Sequence, residues 1–273
     1  MCVGLISTGV VLFFCAAFVF QGFLQNEYLQ YLLTETRRTE QAVLSASVAN
    51  VNSMIQDAIV SCADVVTDAD LYESVENIIE NRDTYQNASY LYTRLNTIAH
   101  YNNIAAVAVV TEDGLLRECG RYWNYSGYRD LWRDENLDIA SELYEKVMDR
   151  AERNTVISYE VSTEPLLHED FPDLIFFHLA YPLLGNKVDK TESCAVMIFT
   201  ISLDSIIKSS ALTNAIQGEY ITEYLADGKG TVLYHNDSSV LGENEEELDS
   251  ADIEQLEAPL NYLGWDVHIN IDT

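Results

Sequence analysis

Between Gly120 and Asn136 the chain reads GRYWNYSGYRDLWRDEN, a run dense in aromatic rings, guanidinium groups and turn-forming residues. Arg121, Tyr122, Trp123, Tyr125, Tyr128, Arg129 and Trp132 fall inside it. Rings with polar tips bury apolar area and still donate hydrogen bonds, which suits a small amphipathic ligand. A guanidinium grips a carboxylate through two parallel bonds, so Arg121 or Arg129 can take an acidic group. The same composition also builds a structural aromatic cluster with arginine stacked on rings, and the sequence alone leaves both readings open. Little else offers chemistry. His100, His168, His178, His235 and His268 are scattered, and the spacing of Cys62, Cys119 and Cys194 fits no zinc site. There is no glycine-rich phosphate loop and no nucleophile elbow, so neither a cofactor nor a catalytic constellation is expected.

The elements that must position this loop begin with a long helix. Met1 to Leu24 carries no charged side chain, and the first charge is Glu27. Val3 to Leu24 is about as long as a membrane span needs, roughly 20 residues. It lacks the basic start and small-x-small site of a cleaved signal. Residues 1–26 are therefore expected to be an uncleaved anchor with the bulk of the chain outside the membrane. Residues 27–66 continue as a stalk helix. Leu44, Val48, Val51, Ile55, Ala58, Cys62 and Val65 alternate in spacings of four and three, a coiled-coil-like seam. That seam either pairs two copies of the chain, packs on the domain that follows, or does both, with its membrane-near half pairing between chains and its far half lying on the chain's own domain.

The formal charge is -29, from 44 acidic and 15 basic side chains. Phosphate backbones need basic clusters, so nucleic acid is excluded as a partner. Hydrophobic residues make up 48% of the chain, enough for a sizeable core in one large domain or two small ones.

After the stalk, Thr67-Asp68 and Asp83-Thr84 read as helix caps. They predict helices at Ala69–Asn81 and Tyr85–His100. Ile104–Thr111 and Leu115–Cys119 read as a hairpin around Glu112-Asp113-Gly114. Leu137–Arg153 is amphipathic and helical. Val156–Val161, Leu174–Leu184 and Cys194–Ile201 read as strands. Residues 67–202 thus form an α+β module with an antiparallel sheet and its helices mostly on one face. Residues 203–273 form a smaller module. It has a linking helix at Ser205–Leu212, strands at Tyr220–Leu225 and Thr231–His235 around ADGKG, an acidic Glu243–Glu257 stretch expected to hold one helix, and a closing strand at Leu263–Ile271.

This order resembles the double Cache (PAS-like) sensor region of bacterial transmembrane receptors, most of all sensor histidine kinases. CAVMIFTISLDSII looks like the family's strand leading into the linker between modules, and LADGKGTVLYHNDSSVLGE and LGWDVHINI look like its second hairpin and late Trp-bearing strand. The resemblance implies extracellular small-molecule sensing, an association of two copies through the stalk, and a second membrane helix and signalling domain after Thr273. Chemotaxis-type and cyclic-dinucleotide receptors carry similar inputs, and an anchored surface hydrolase or an adhesion module is the alternative class. Family members bind ligand in the membrane-distal module, between the sheet and the loop after its second strand. Carried over, the site comprises the seven loop residues above, Phe177 and Tyr181 on a facing strand (with His178 on that strand's other face), and Thr200. The amino-acid-binding subgroup's pattern is broken here. Arg129 and Trp132 are one residue too far apart, although Arg121 and Trp123 are correctly spaced. Thr200 stands where an aspartate is common, which removes the partner of a ligand ammonium and points to another metabolite or a peptide.

Overall fold

The computed structural model describes residues 2–100, 103–120, 123–124, 127–128, 131–132, 136–153, 158–164, 166, 176–185, 193–203, 206, 221–235, 237–248 and 253–272. Within these, the side chains of 2–19, 123–124, 127–128, 152–153, 221–223, 238, 247, 253–256 and 269–272 are outside the description. The chain divides into two compact units, Met1–Ala46 and Ser47–Thr273.

Helix α1 runs unbroken over Cys2–Val65, as a segment with no Pro and no Gly after Gly22 allows. Among the described residues no helix is long and apolar enough to cross a membrane, and most of the apolar 1–26 segment has side chains outside that set. The seam now has an answer from Val48 onward. Val48, Val51, Ile55 and Cys62 are 5, 1, 0 and 0 % exposed within a single chain. They pack on the chain's own domain and are not left for a second copy.

Two helices follow. For α2 (Ala69–Ile79), Asp68 is the N-cap, its Oδ1 accepting from the amides of Asp70 and Leu71 at 3.1 and 3.2 Å. Its other oxygen takes Arg94 Nε and Nη2 at 3.1 and 2.7 Å, which ties α2 to α3 (Thr84–Ile98). Asp83 differs from expectation. It sits at φ 41 and makes no side-chain capping bond; Asn87 Nδ2 instead donates to the carbonyls of Arg82 and Asp83.

The first sheet has five strands in the order β2-β1-β7-β6-β5, every neighbouring pair antiparallel. Its strands are β1 (Ile104–Thr111), β2 (Gly114–Gly120), β5 (Glu160–Ser162), β6 (Phe176–Pro182) and β7 (Val196–Ser202). Short β3 (Trp123–Asn124) and β4 (Gly127–Tyr128) pair only with each other. Strands β1, β6 and β7 are buried along their whole length, because both faces are covered. One face packs Ala106, Ala108, Val110, Ala180, Val196 and Ile198 against Ala140, Leu143 and Val147 of α4 (Leu137–Arg153). The other face turns toward α1, where Tyr181 donates its hydroxyl to the Ile59 carbonyl at 2.9 Å. Beyond β6, the amides of Leu184 and Gly185 both donate to the Val66 carbonyl, at 2.9 and 3.0 Å.

The second sheet runs β10-β11-β8-β9, built from β8 (Ile221–Ala226), β9 (Val232–His235), β10 (Ile253–Leu260) and β11 (Trp265–Asp272). Among the described residues of Glu243–Glu257 the expected α-helix is absent. One 3-10 turn spans Glu245–Glu247, and from Ile253 the chain lies in β10, paired in register from Ile253↔Asp272 to Leu260↔Trp265. The apolar positions 253, 256 and 260 mimic helical spacing, but β10 is an edge strand, where charge and Pro259 are tolerated and blunt further pairing. The two sheets meet where Phe177 of β6 sets its ring edge-on to Trp265, 6.4 Å between centroids at 89°. Asn52 of α1 grips the β10–β11 turn, donating to the Pro259 carbonyl at 3.3 Å and accepting from the Asn261 amide at 3.0 Å. The expected linking helix Ser205–Leu212 lies almost wholly outside the described residues, Ile206 excepted.

Gly185 combines two demands. Its φ is +53, and a Cβ there would meet Tyr72 Cβ at 2.7 Å. Gly185→Ala is expected to cost roughly 2 kcal/mol from left-handed backbone strain plus the clash, read as a lowered denaturation midpoint at unchanged slope.

Candidate functional site

In the aromatic loop, the described side chains include those of its return leg, Leu131 and Trp132, both 1 % exposed. Neither lies in a strand ladder, so their buried amides need acceptors from elsewhere. Glu118 of β2 supplies them. Its Oε1 accepts from the Leu131 amide at 2.7 Å and its Oε2 from the Trp132 amide at 2.9 Å. Asn136 Nδ2, just before α4, donates to the Leu131 carbonyl at 2.8 Å. The leg is thus fixed to the sheet by Glu118 and to the start of α4 by Asn136.

Strand register determines what Trp132 meets. Gly120, Ala106, Thr200, His178 and Ser162 are successive cross-strand partners, so they form one row across β2, β1, β7, β6 and β5. The indole Nε1–H donates to Thr200 Oγ1 at 3.1 Å, and Thr200 Oγ1 lies 3.3 Å from His178 Nδ1. His178 Nε2 lies 3.2 Å from the Glu164 carbonyl oxygen, and the indole stands edge-on to the imidazole at 5.0 Å. The proton positions follow from what each atom can do. A carbonyl only accepts, so Nε2 carries the proton; an indole only donates, so Thr200 accepts from it and passes its own proton to Nδ1. The chain runs one way, from Trp132 to Thr200 to His178 to Glu164, through a neutral ring. Burial pushes the His178 pKa down to about 4, with the Glu164 carbonyl bond opposing.

Of the residues expected at the site, the structure brings Trp132 and Thr200 together. It separates Phe177 and Tyr181 from them. The two-residue strand period turns these side chains to the opposite face, where Tyr181 bonds α1 and Phe177 meets Trp265. Arg121, Tyr122, Tyr125 and Arg129 lie outside the described residues, as do the side chains of Trp123 and Tyr128. The sequence reading missed Glu118, Asn136 and the central place of His178. The signal for two of them was there: a glutamate and a histidine inside apolar strands are seldom buried without partners. A separate cavity of about 550 Å3 lies on the α1 side, between Met54, Asp57, Ser61, Arg94, His100 and Asn103.

No family model matches the sequence, and no curated protein does. Solved structures match over most of the chain. The sensor domain of the V. cholerae histidine kinase DctB has a TM-score of 0.58 at 12% identity, over 89% of this chain and 98% of that one. The extracellular domain of the putative histidine kinase vpHK1S-Z8 also gives 0.58, at 13% identity over 85% and 89%. The chain has the double Cache fold. A third such domain, the ligand-binding domain of the P. aeruginosa amino acid chemoreceptor PctC with GABA, gives 0.51 at 11% identity over 82% and 95%. Within this double Cache fold, the row from Gly120 to Ser162 meets Trp132, which follows the second strand of the first sheet.

The unfolded chain protonates His178 near pH 6.5 and the folded chain only near 4. Between those values the unfolded state binds the extra proton, so stability falls as pH drops from about 6.5 to 4, by about 3 kcal/mol in full, and is unaffected above. Denaturant unfolding of wild type and His178→Gln isolates this from the many carboxylates. The stability gap between the two is expected to shrink by that amount from pH 7 to pH 4.

Proposed function

We propose that this chain is the extracytoplasmic ligand-sensing region of a bacterial membrane receptor. In this reading residues 1–26 anchor it, 27–66 form the stalk, 67–202 form the membrane-distal module and 203–273 the membrane-proximal one. The observation that carries the proposal is the fixed return leg of the aromatic loop, held over the α4-side face of the first sheet by Glu118 and by the Trp132–Thr200–His178 chain. A loop anchored at that depth brings a segment rich in rings and arginines to the first sheet, a composition that suits a small amphipathic molecule. The likeness to histidine kinase sensor domains supports a kinase output, with chemotaxis-type or cyclic-dinucleotide receptors as the alternative. Enzymatic turnover is disfavoured by His178, whose ring nitrogens are both engaged.

The ligand we propose is an acidic or neutral metabolite without an ammonium group at this wall. Thr200 offers no charge there and is already bonded on two sides. To signal, the ligand must favour one of two arrangements of α1. Two copies are proposed to associate through α1 upstream of the buried seam, where Phe20, Leu24, Tyr28, Tyr31 and Leu32 are exposed.

A thermal-shift screen of residues 27–273 against metabolites tests the sensing. At least one compound is expected to stabilise the protein, with Tyr122→Ala and Trp123→Ala each weakening it roughly tenfold or more, the scale of one lost aromatic contact. Unchanged affinity in both variants would move the site elsewhere, the α1-side cavity first. In the full chain in membranes, cysteines placed at Tyr28 of two copies are expected to cross-link, and cysteines at Val48 are not.

A further inference from the structure

Glu118 is a buried carboxylate, 8 % exposed, in a strand that is otherwise apolar on that face. Such a group is retained only where charge-assisted hydrogen bonds replace its water. Its two oxygens take the amides of two successive residues, Leu131 and Trp132. In an extended chain successive amides point to opposite sides, so one carboxylate cannot reach both. Here the backbone bends at these residues and turns both donors the same way. A pair of convergent main-chain amides is a concavity that binds anions. In this protein the chain's own side chain fills it.

The consequences run outward from that contact. Strand β2 is the edge of the first sheet, so the chain leaves the ladder after Gly120 and has no strand to return to. Glu118 provides the return point. With the Leu131 carbonyl held by Asn136, the main chain before the indole is fixed at both its donor and its acceptor. Only then does the Trp132 Nε1 reach Thr200. We infer that Glu118 is the positioning residue of the candidate site: as an internal anion seated on the Leu131 and Trp132 amides, it holds the return leg of the aromatic loop on the sheet and sets where the indole meets Thr200 and His178. The inference deepens the ligand-sensing proposal and rests on it for its functional meaning. The amide pair is closed to a ligand carboxylate, so an acidic ligand must find its donors elsewhere in the loop.

The test needs no ligand. In the wild-type protein, hydrogen exchange at the Leu131 and Trp132 amides is expected only through large-scale unfolding; exchange within seconds would overturn the clamp outright. In Glu118→Ala these two amides are expected to exchange roughly a hundredfold faster, trypsin is expected to cut sooner at Arg121, Arg129 or Arg133, and the His178 titration seen by NMR is expected to rise toward its ordinary value. Sodium acetate should restore the protection, while sodium chloride at equal ionic strength should not. No recovery in molar acetate overturns the internal anion. Leu179→Ala, on the opposite sheet face, controls for general loosening. If it speeds the two amides as much as Glu118→Ala does, Glu118 has no special role. A failed metabolite screen would remove the sensing proposal and leave the clamp intact, and fast wild-type exchange would remove the clamp whatever the screen finds.

Discussion

The two-residue period of β6 is the constraint on which both halves of the Ser47–Thr273 unit depend. His178 points to the α4 side and enters the chain with Thr200 and Trp132. Its neighbours in the same strand, Phe177 and Tyr181, point the other way, one to Trp265 of the second sheet and one to the Ile59 carbonyl of α1. A register slip of one residue would put a phenolic and a phenyl ring on the Trp132 side and an imidazole against the helix. Neither side could then be satisfied. The strand is held in register by full pairing with β7 from Phe176↔Ser202 to Pro182↔Val196. The same strand therefore carries both the His178 contact with Thr200 and the groups that touch α1 and Trp265.

Helix α1 is correspondingly more than a stalk. Over its second half it is a core element, with Val51, Ile55 and Cys62 buried and the Cys62 thiol's ionisation suppressed by that burial. It is also bonded to both sheets through groups a helix does not usually spare. Asn52 holds the β10–β11 turn by a matched donor and acceptor, and the Val66 carbonyl just past the helix end takes two amides from the segment after β6. The sheets are therefore connected twice, directly at Phe177–Trp265 and indirectly through one helix. An apolar seam alone would allow the helix to slide by a turn. The directional bonds at residues 52, 59 and 66 do not.

Much of this fold was legible because its strong patterns are local. Ile104–Thr111 and Leu137–Arg153 match their predicted bounds, since a dense β-branched run and a clean amphipathic repeat each admit one periodicity. Asp68 was readable as a cap, and its second oxygen's bond to Arg94 was not, because that bond spans 26 residues. The acidic strand β10 was misread because edge strands carry the charges and proline that elsewhere argue against a strand. The site was legible only as a place. The loop composition drew attention to Trp132 and the motif position to Thr200, and the structure brings these two together, whereas Phe177 and Tyr181, expected beside them, lie on the other face of β6. On a strand buried on both faces, hydropathy no longer tells which side looks at which partner.

The same reasoning explains why this site is built from polar groups at all. An apolar wall of Val and Leu would bury as well against Trp132 and would leave no polar group at risk of losing its partner. Directional bonds add uniqueness. Glu118 accepts only where two amides converge, Trp132 donates only along its ring plane, and His178 fits only as one tautomer. Each link excludes loop positions that an apolar contact would tolerate. A chain with a formal charge of -29 experiences broad self-repulsion at its surface, which favours expansion of any segment not tied down. Placing one of those charges inside, on main-chain donors, converts a repelling group into a contact that ties Leu131 and Trp132 to β2.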